Sequence, residues 1–266
     1  MRLAADIGGT NMRVALGSAD GTISKIEVHD SPSVYTDGIE LLTDTLKKLA
    51  EGHTIEGVTI GVPGSVSTDK RTLIHAAHLP AWSGNDMASA LESALGAPVT
   101  LENDALLAAL GEANVGAGKG HAIVAYIGIG TGIGAARIVD GRIDRNSFGF
   151  EAGHQYLSYD DEVELEELVS GTAVEEEQGV SAKELGESNV WQMYERRLAH
   201  GLYNTLLHWS PDCLVLGGSL MRAPGLTVEG ITEELERINR SIPTLPPIRK
   251  GTLEYPGVVG ALLSNS

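Results

Sequence analysis

Asp6-Ile7-Gly8-Gly9-Thr10-Asn11 lies between two short apolar runs, residues 3–5 and 13–16. A second turn, Ser18-Ala19-Asp20-Gly21, leads into a third run at 22–28. Apolar runs of this length separated by Gly, Asn, Asp and Ser predict a three-strand meander. The pattern returns roughly 120 residues later, a spacing far too long for a solenoid repeat. A strand is predicted at 122–127, followed by Gly128-Ile129-Gly130-Thr131-Gly132-Ile133-Gly134. A strand at 133–139, a tight hairpin at Asp140-Gly141 and a strand at Arg142-Ile143 complete it. Strand, Gly/Thr turn, strand, small turn, strand thus occurs at 3–28 and again at 122–143, which reads as an internal duplication of a domain core.

The rest of the chain fills in around these two units. Ile39, Leu41, Leu42, Leu46 and Leu49 recur at helical spacing within 37–52. A buried strand is predicted at 58–62, a helix at 85–95 ended by Gly96 and Pro98, and a strand at 99–101. Glu102-Asn103-Asp104 then opens a helix running through Glu112. In the second half, the strongly acidic stretch 160–187 carries two short helices, and 190–210 a long one. A strand follows at 213–216, then an amphipathic helix at 228–239, a proline-marked loop at 243–247 and a closing helix from Gly257. Strands alternating with helices predict an α/β fold.

Composition narrows the function classes. The 266 residues carry a formal net charge of −17, which argues against nucleic acid and anionic lipid as partners, since both need a basic face. A nucleotide would need a local positive field of the site's own making. With one cysteine, Cys213, neither an intrachain disulfide nor a multi-cysteine zinc site can form. Cys213 reads as a small core residue, and Trp82 and Trp191 as packing residues. The start, MRLAADIGG, enters a strand at once without a basic-then-apolar signal region, and no apolar run approaches the ~20 residues of a membrane helix. A cytoplasmic location fits these features.

The 33 glycines exceed the usual share of about 7% and concentrate in turns. Successive backbone N–H groups in a tight turn form an anion-binding nest, glycine admits a phosphate close to the chain, and Thr10 and Thr131 add hydroxyl donors. A Rossmann fingerprint fails at 128–134, because a strand rather than a helix follows the glycines, and no G-x-x-x-x-G-K-[ST] P-loop exists. One such turn taken alone reads equally as a plain hairpin; two at equivalent places in a duplicated unit point to a polyphosphate.

Taken in order, the motifs resemble the actin and hexokinase superfamily in its ROK, glucokinase-like form. Asp6–Asn11 resembles the first phosphate motif, Gly128–Gly134 the second, and Leu214-Val215-Leu216-Gly217-Gly218-Ser219 the adenosine motif. Glu102-Asn103-Asp104-Ala105, with Ala108-Ala109-Leu110-Gly111-Glu112 after it, resembles the catalytic segment. Phe148-Gly149-Phe150-Glu151-Ala152-Gly153-His154 resembles the sugar-binding E-x-G-H signature. The match runs from Leu3 to about Leu262.

The resemblance implies two ribonuclease-H-like (actin-like ATPase) domains with an interdomain cleft. The N-terminal sugar-kinase domain would span 1–102, with 256–266 packing back on it; the nucleotide- and sugar-binding domain would span 103–255. It implies ATP-dependent phosphorylation of a hexose, with Asp104 as general base, although Asp104 by local sequence alone could equally be a helix cap. Gly64, Ser65, His78, Asn103, Asp104, Glu151, His154 and Glu166 would bind sugar. Asp6, Gly8, Gly9, Thr10, Asn11, Gly130, Thr131, Gly132, Gly217 and Gly218 would bind ATP, and Asp6 would position Mg²⁺ through water. For Glu166 the alternative is a solvated acidic face shared with Glu164 and Glu167.

Two departures from the family pattern stand out. The family's zinc-binding cysteines are missing between Tyr156 and Leu165, so zinc is not expected and His154 is free for sugar or structure. The family's Asn-Leu-Pro-Gly-Trp appears as His78-Leu79-Pro80-Ala81-Trp82, which bears on the choice of sugar. Glucose is the expected substrate. Fructose, mannose, an N-acetylhexosamine, or a catalytically degenerate sugar-binding regulator are the alternatives, and a homodimer is left open. ROK repressors carry an extra N-terminal DNA-binding domain, whereas Asp6 here already lies in the phosphate motif.

Overall fold

Contacts divide the chain into two units, Met1–Gly111 with Leu253–Ser266, and Glu112–Thr252. The computed structural model describes all residues except Ala77, His78, Ala223, Asn265 and Ser266.

In chain order the first unit contains β1 (Arg2–Ile7), β2 (Asn11–Gly17), β3 (Ile23–Asp30), α1 (Tyr35–Ala50), β4 (Val58–Val62), β5 (Ser65–Val66), β6 (Thr72–His75), β7 (Asn85–Asp86), α2 (Met87–Leu95), β8 (Val99–Asn103) and α3 (Asp104–Asn114). Its main sheet runs β3-β2-β1-β4-β8. The first three strands are antiparallel, while β4 pairs parallel with β1 and β8 parallel with β4. The second unit contains β9 (Ile123–Ile129), β10 (Ile133–Val139), β11 (Arg142–Ile143), α4 (Leu165–Val169), α5 (Gly171–Gln178), α6 (Ala182–Leu185), α7 (Val190–Trp209), β12 (Cys213–Gly217), α8 (Val228–Ile238) and β13 (Ile248–Lys250). Its sheet runs β11-β10-β9-β12-β13, again with three antiparallel strands and two parallel ones. Strand for strand the two sheets correspond. That is the ribonuclease-H-like arrangement, repeated as the two Gly/Thr turns predict.

The alternation of β1 explains how the first unit is layered. Leu3, Ala5 and Ile7 enter a core with Leu42 and Leu46 of α1 and Leu91 of α2. Ala4 faces the other way, onto Leu107 of α3 and Val258, Ala261 and Leu262 of the closing helix α9 (Pro256–Leu263). Side chains two apart on a strand share a face, so Asp6 falls on the Ala4 side. Alanine at Ala4 and, paired with it, Ala15 of β2 lets those helices lie close. A Cβ on Gly260 would strike the Leu107 carbonyl, and one on Gly111 the Pro256 carbonyl. These approaches fix α3, and with it Asp104, on the first unit. By contacts the division falls at Gly111, within the last turn of α3, where the sequence placed it at 102.

In the second unit α7 turns Trp191, Tyr194, Leu198, Leu202 and Leu206 toward the sheet, and Ile231 and Leu235 of α8 join the same core. Cys213, the first residue of β12, is buried, as expected of a small core residue. Trp82 is fully buried in the first unit, its indole N–H donating to the Pro32 carbonyl at 3.0 Å. The acidic stretch holds three short helices rather than two, because serine caps subdivide it. Ser170 accepts from the Ala173 N–H and Ser181 from the Glu184 N–H, starting α5 and α6. The small sheet β5-β6-β7 and strand β13 have two to four residues each, too short for a periodicity to register.

Candidate functional site

In the first unit the parallel strands β1, β4 and β8 end side by side, and the described candidates there lie at or just past those ends. Open α/β sheets bind ligands at this edge. Asp6 is next to last in β1. Directly opposite it in register, Arg13 of β2 brings its guanidinium to 3.6 Å of the Asp6 carboxylate. The turn is closed by the Gly8 N–H donating to the Asn11 carbonyl at 2.9 Å, leaving Gly9 and Thr10 exposed. Ser31 braces it twice, donating its N–H to the Thr10 carbonyl (2.9 Å) and its hydroxyl to the Gly8 carbonyl (2.7 Å).

Asn103, and not Asp104, caps the helix that follows them. The Asn103 side-chain oxygen accepts from the Leu106 N–H at 3.1 Å, so Asn103 caps the start of α3. Its amide N–H donates to the Gly64 carbonyl at 3.1 Å and holds the Pro63-Gly64-Ser65 loop. Gly64 is required there: its φ is +101°, and a Cβ would strike the His75 carbonyl. Asp104 accepts one bond, from the adjacent Ala105 N–H at 2.8 Å. Burial, and then the nearby Asp6 charge, lift the Asp104 carboxyl from its ordinary value to about 7. Burial also raises Asp6, with Arg13 opposing. A carboxyl that changes protonation near neutrality is suited to accept a proton in catalysis. His78 lies outside the described residues.

In the second unit β9 and β10 extend so far that the turn proper is Gly130-Thr131-Gly132, closed by the Gly130 N–H to the Gly132 carbonyl at 2.9 Å. The start of α5 supports it. Gly171 N–H donates to the Gly130 carbonyl (2.7 Å), and the Thr172 N–H and hydroxyl both donate to the Thr131 carbonyl (3.2 and 2.9 Å). Gly217 and Gly218 end β12 beside this turn. Gly218 has φ +89°, and a Cβ on it would strike the Ile129 backbone, a structural need independent of any ligand. A cavity of about 560 Å³ is lined by Gly130, Thr131, Thr172, Lys183, Ser219 and Arg222, among others. That is an ordinary size for a small-molecule pocket.

Glu151 precedes a short 3-10 turn, Ala152–His154, and His154 ends it; both are exposed. The Glu151 carboxylate has no hydrogen-bond partner among the described residues. The His154 Nδ1 pairs with a Glu164 carboxylate oxygen at 2.7 Å, and that contact raises the imidazole's proton affinity. Glu166, on α4, accepts the Ile133 N–H at 2.5 Å. This sugar candidate is therefore bonded to the residue that follows the Gly130–Gly132 turn. Among the described residues, no three or more His, Cys, Asp or Glu side chains converge as metal ligands would, and no helix is long and apolar enough to cross a membrane.

Sequence inspection missed four participants. Arg13 was legible in principle, because a hairpin closed at Gly8–Asn11 sets it opposite Asp6. Glu164 was noticed only as part of an acidic run. Lys183 and Arg222 carry no local motif; only folding brings them to the cavity beside Gly130.

Comparison with known proteins gives a consistent set of similarities. A ROK family model matches residues 2–263. A putative fructokinase of Bacillus subtilis is 30% identical over 82% of this chain and 76% of its own length. A glucokinase of Streptomyces coelicolor is 31% identical over 58% of this chain, an alignment spanning about half (49%) of that relative. Among solved structures, a ROK hexokinase from Thermus thermophilus superposes with a TM-score of 0.86 and 27% identity, covering 98% of this chain and 96% of that one.

Proposed function

The chain belongs to the ROK family, and from that premise we propose that this sugar kinase transfers the terminal phosphoryl group of ATP to the exocyclic 6-hydroxyl of a hexose, glucose first, with Asp104 as the base. The observation that carries the proposal is the state of Asp104. Asn103 takes the capping role, so Asp104 is left with one short-range acceptor contact and a carboxyl that titrates at about 7. Phosphoryl transfer to an alcohol needs an acceptor for the hydroxyl proton, stabilisation of phosphate charge, and in-line positioning. Asp104 supplies the first, and its burial makes it basic enough at neutral pH.

Charge stabilisation falls to the turns and cations. The cavity beside Gly130 would receive the nucleotide. Thr131 and the turn amides would meet phosphate, while Lys183 and Arg222 would provide the local positive field that a chain of charge −17 otherwise lacks. The residues fit Mg²⁺, a hard ion that keeps its waters and uses few carboxylates. Asp6 is an oxygen donor near a second carboxyl, and both have raised proton affinity, which a nearby cation would relieve. Asp6 would hold the ion through water, and the ion would neutralise phosphate charge. Glu151, with its free carboxylate, together with His154, Asn103 and the Gly64–Ser65 loop, would bond sugar hydroxyls. A site built from such groups rejects analogues that leave them unpaired.

A panel of free hexoses and N-acetylhexosamines with MgATP, read by ADP release, tests the proposal. Glucose should give the highest kcat/KM. Turnover of an N-acetylhexosamine with glucose inert would retire the glucose assignment, and ADP release with no sugar in the panel would retire the hexose reaction.

A further inference from the structure

Ile133 is where two sets of candidates meet. Its N–H donates to Glu166 at 2.5 Å, and its carbonyl lies so close to Gly153 that a Cβ there would strike it. Gly153 belongs to the turn that carries Glu151 and His154, and Ile133 is the first residue after Gly130-Thr131-Gly132. Glu166 is held from behind by its own helix, whose following residues Gly171 and Thr172 donate to the Gly130 and Thr131 carbonyls. A Cβ on Gly132 would land on the Glu166 carboxylate, so glycine at 132 leaves room for that group rather than for a strained backbone. Glu166 also contributes to the raised proton affinity of His154.

We infer that Glu166 is a positioning residue for nucleotide binding: its carboxylate sets the conformation of the Gly130–Gly132 turn, in addition to any contact with sugar. The inference rests on the kinase proposal above. Its physical content is a sign that electrostatics alone would reverse. A carboxylate beside a phosphate site repels the anion, so removing its charge should tighten nucleotide binding if charge were its only effect. Removing the acceptor instead releases the Ile133 N–H and the turn it orients, and binding should weaken. A hydrogen bond to a charged acceptor in a partly buried place is strong enough for its loss to be measurable.

The test is AMP-PNP affinity by calorimetry in the absence of sugar, on the full chain with Mg²⁺. Glu166→Gln keeps an acceptor oxygen at the same reach and loses the charge; it should bind AMP-PNP as tightly as wild type or more tightly. Glu166→Asp keeps the charge but is one methylene too short for the Ile133 N–H; it should bind about tenfold more weakly. Glu166→Ala should bind at least as weakly as Glu166→Asp. Thermal melts on all three check folding, and if Glu166→Ala does not fold, the opposed Gln and Asp variants still decide. Glu166→Asp and Glu166→Ala binding like wild type, or a Gln variant as weak as the Asp one, would overturn the inference while leaving a sugar-phosphorylating wild type untouched. A wild-type protein that binds no AMP-PNP and phosphorylates no sugar overturns the kinase proposal and this inference together.

Discussion

The turn after β1 and the turn after β9 occupy the same place in two sheets of the same strand order, yet they are held in different ways. The first is braced by a single residue, Ser31, through its N–H and its hydroxyl. The second is supported by a folded segment, with Gly171, Thr172 and Glu166 bonding Gly130, Thr131 and Ile133 in turn. What surrounds them differs as well. The first follows the carboxylate Asp6, which raises the proton affinity of Asp104 in the same unit. The second borders a cavity with two cations. A duplicated strand order thus carries two carboxyls of raised proton affinity beside its turn in one copy and a cavity lined by two cations beside it in the other.

The largest effect should come from the first unit's carboxylates. Asp104→Asn keeps the shape, loses the proton acceptor, and should lower kcat by about 10²–10⁴-fold with sugar affinity largely kept. Near wild-type turnover would remove the chemical asymmetry between the two copies. Next in size is the second turn. A Cβ at Gly130 meets nothing nearer than the Ser219 hydroxyl at 3.7 Å, so Gly130→Val should fold with an unchanged melting temperature. It should raise the KM for ATP at least tenfold, roughly the loss of one good hydrogen bond to a charged group, and the KM for sugar far less. Equal rises in both would mean that the turn does not serve the nucleotide.

The bracing itself can be probed by substituting one glycine of each turn. A Cβ on Gly8 would meet the Asn11 carbonyl at an ordinary 3.4 Å, whereas one on Gly132 displaces the Glu166 carboxylate. Gly132→Ala should therefore lower the melting temperature and cost several-fold in AMP-PNP affinity, and Gly8→Ala should change the melting temperature little. A larger stability loss at Gly8 would reverse the ranking of the two turns.

A pH experiment singles out the first unit. The folded-state pKa of Asp104, about 7, lies above its ordinary value because burial, and then Asp6, disfavours the charged form. Such a group stabilises the fold fully below about pH 4 and loses that contribution as pH rises through about 7. In EDTA, the melting temperature of Asp104→Asn minus that of wild type should therefore grow between pH 5 and pH 8; a flat difference would place Asp104 in a solvated environment. The smallest expected effect is at the cavity rim. Lys183→Ala should raise the KM for ATP only about two- to fivefold, less at high salt, because an exposed cation is screened.

Local patterning carried much of the architecture. The meanders, the parallel strands 58–62 and 213–216, the long helix of the second unit and the duplication all follow from apolar periodicity and turn residues, because burying one face of a strand or helix imposes its period on the sequence. The same chemistry made Asp6, Asp104 and both Gly/Thr turns visible. Three matters were decided only by tertiary structure. Packing of α3 against α9, through Gly111 and Gly260, put the catalytic candidate in the first unit, since glycines far apart in sequence signal a contact only when they meet. Which of Asn103 and Asp104 caps α3 depended on which side chain reached the Leu106 N–H, a geometry that two adjacent cap-forming residues leave open. The cations at the cavity and the tie from Glu166 to Ile133 link residues 33 or more positions apart in chain, and long-range polar contacts of that kind have no period for a sequence to display.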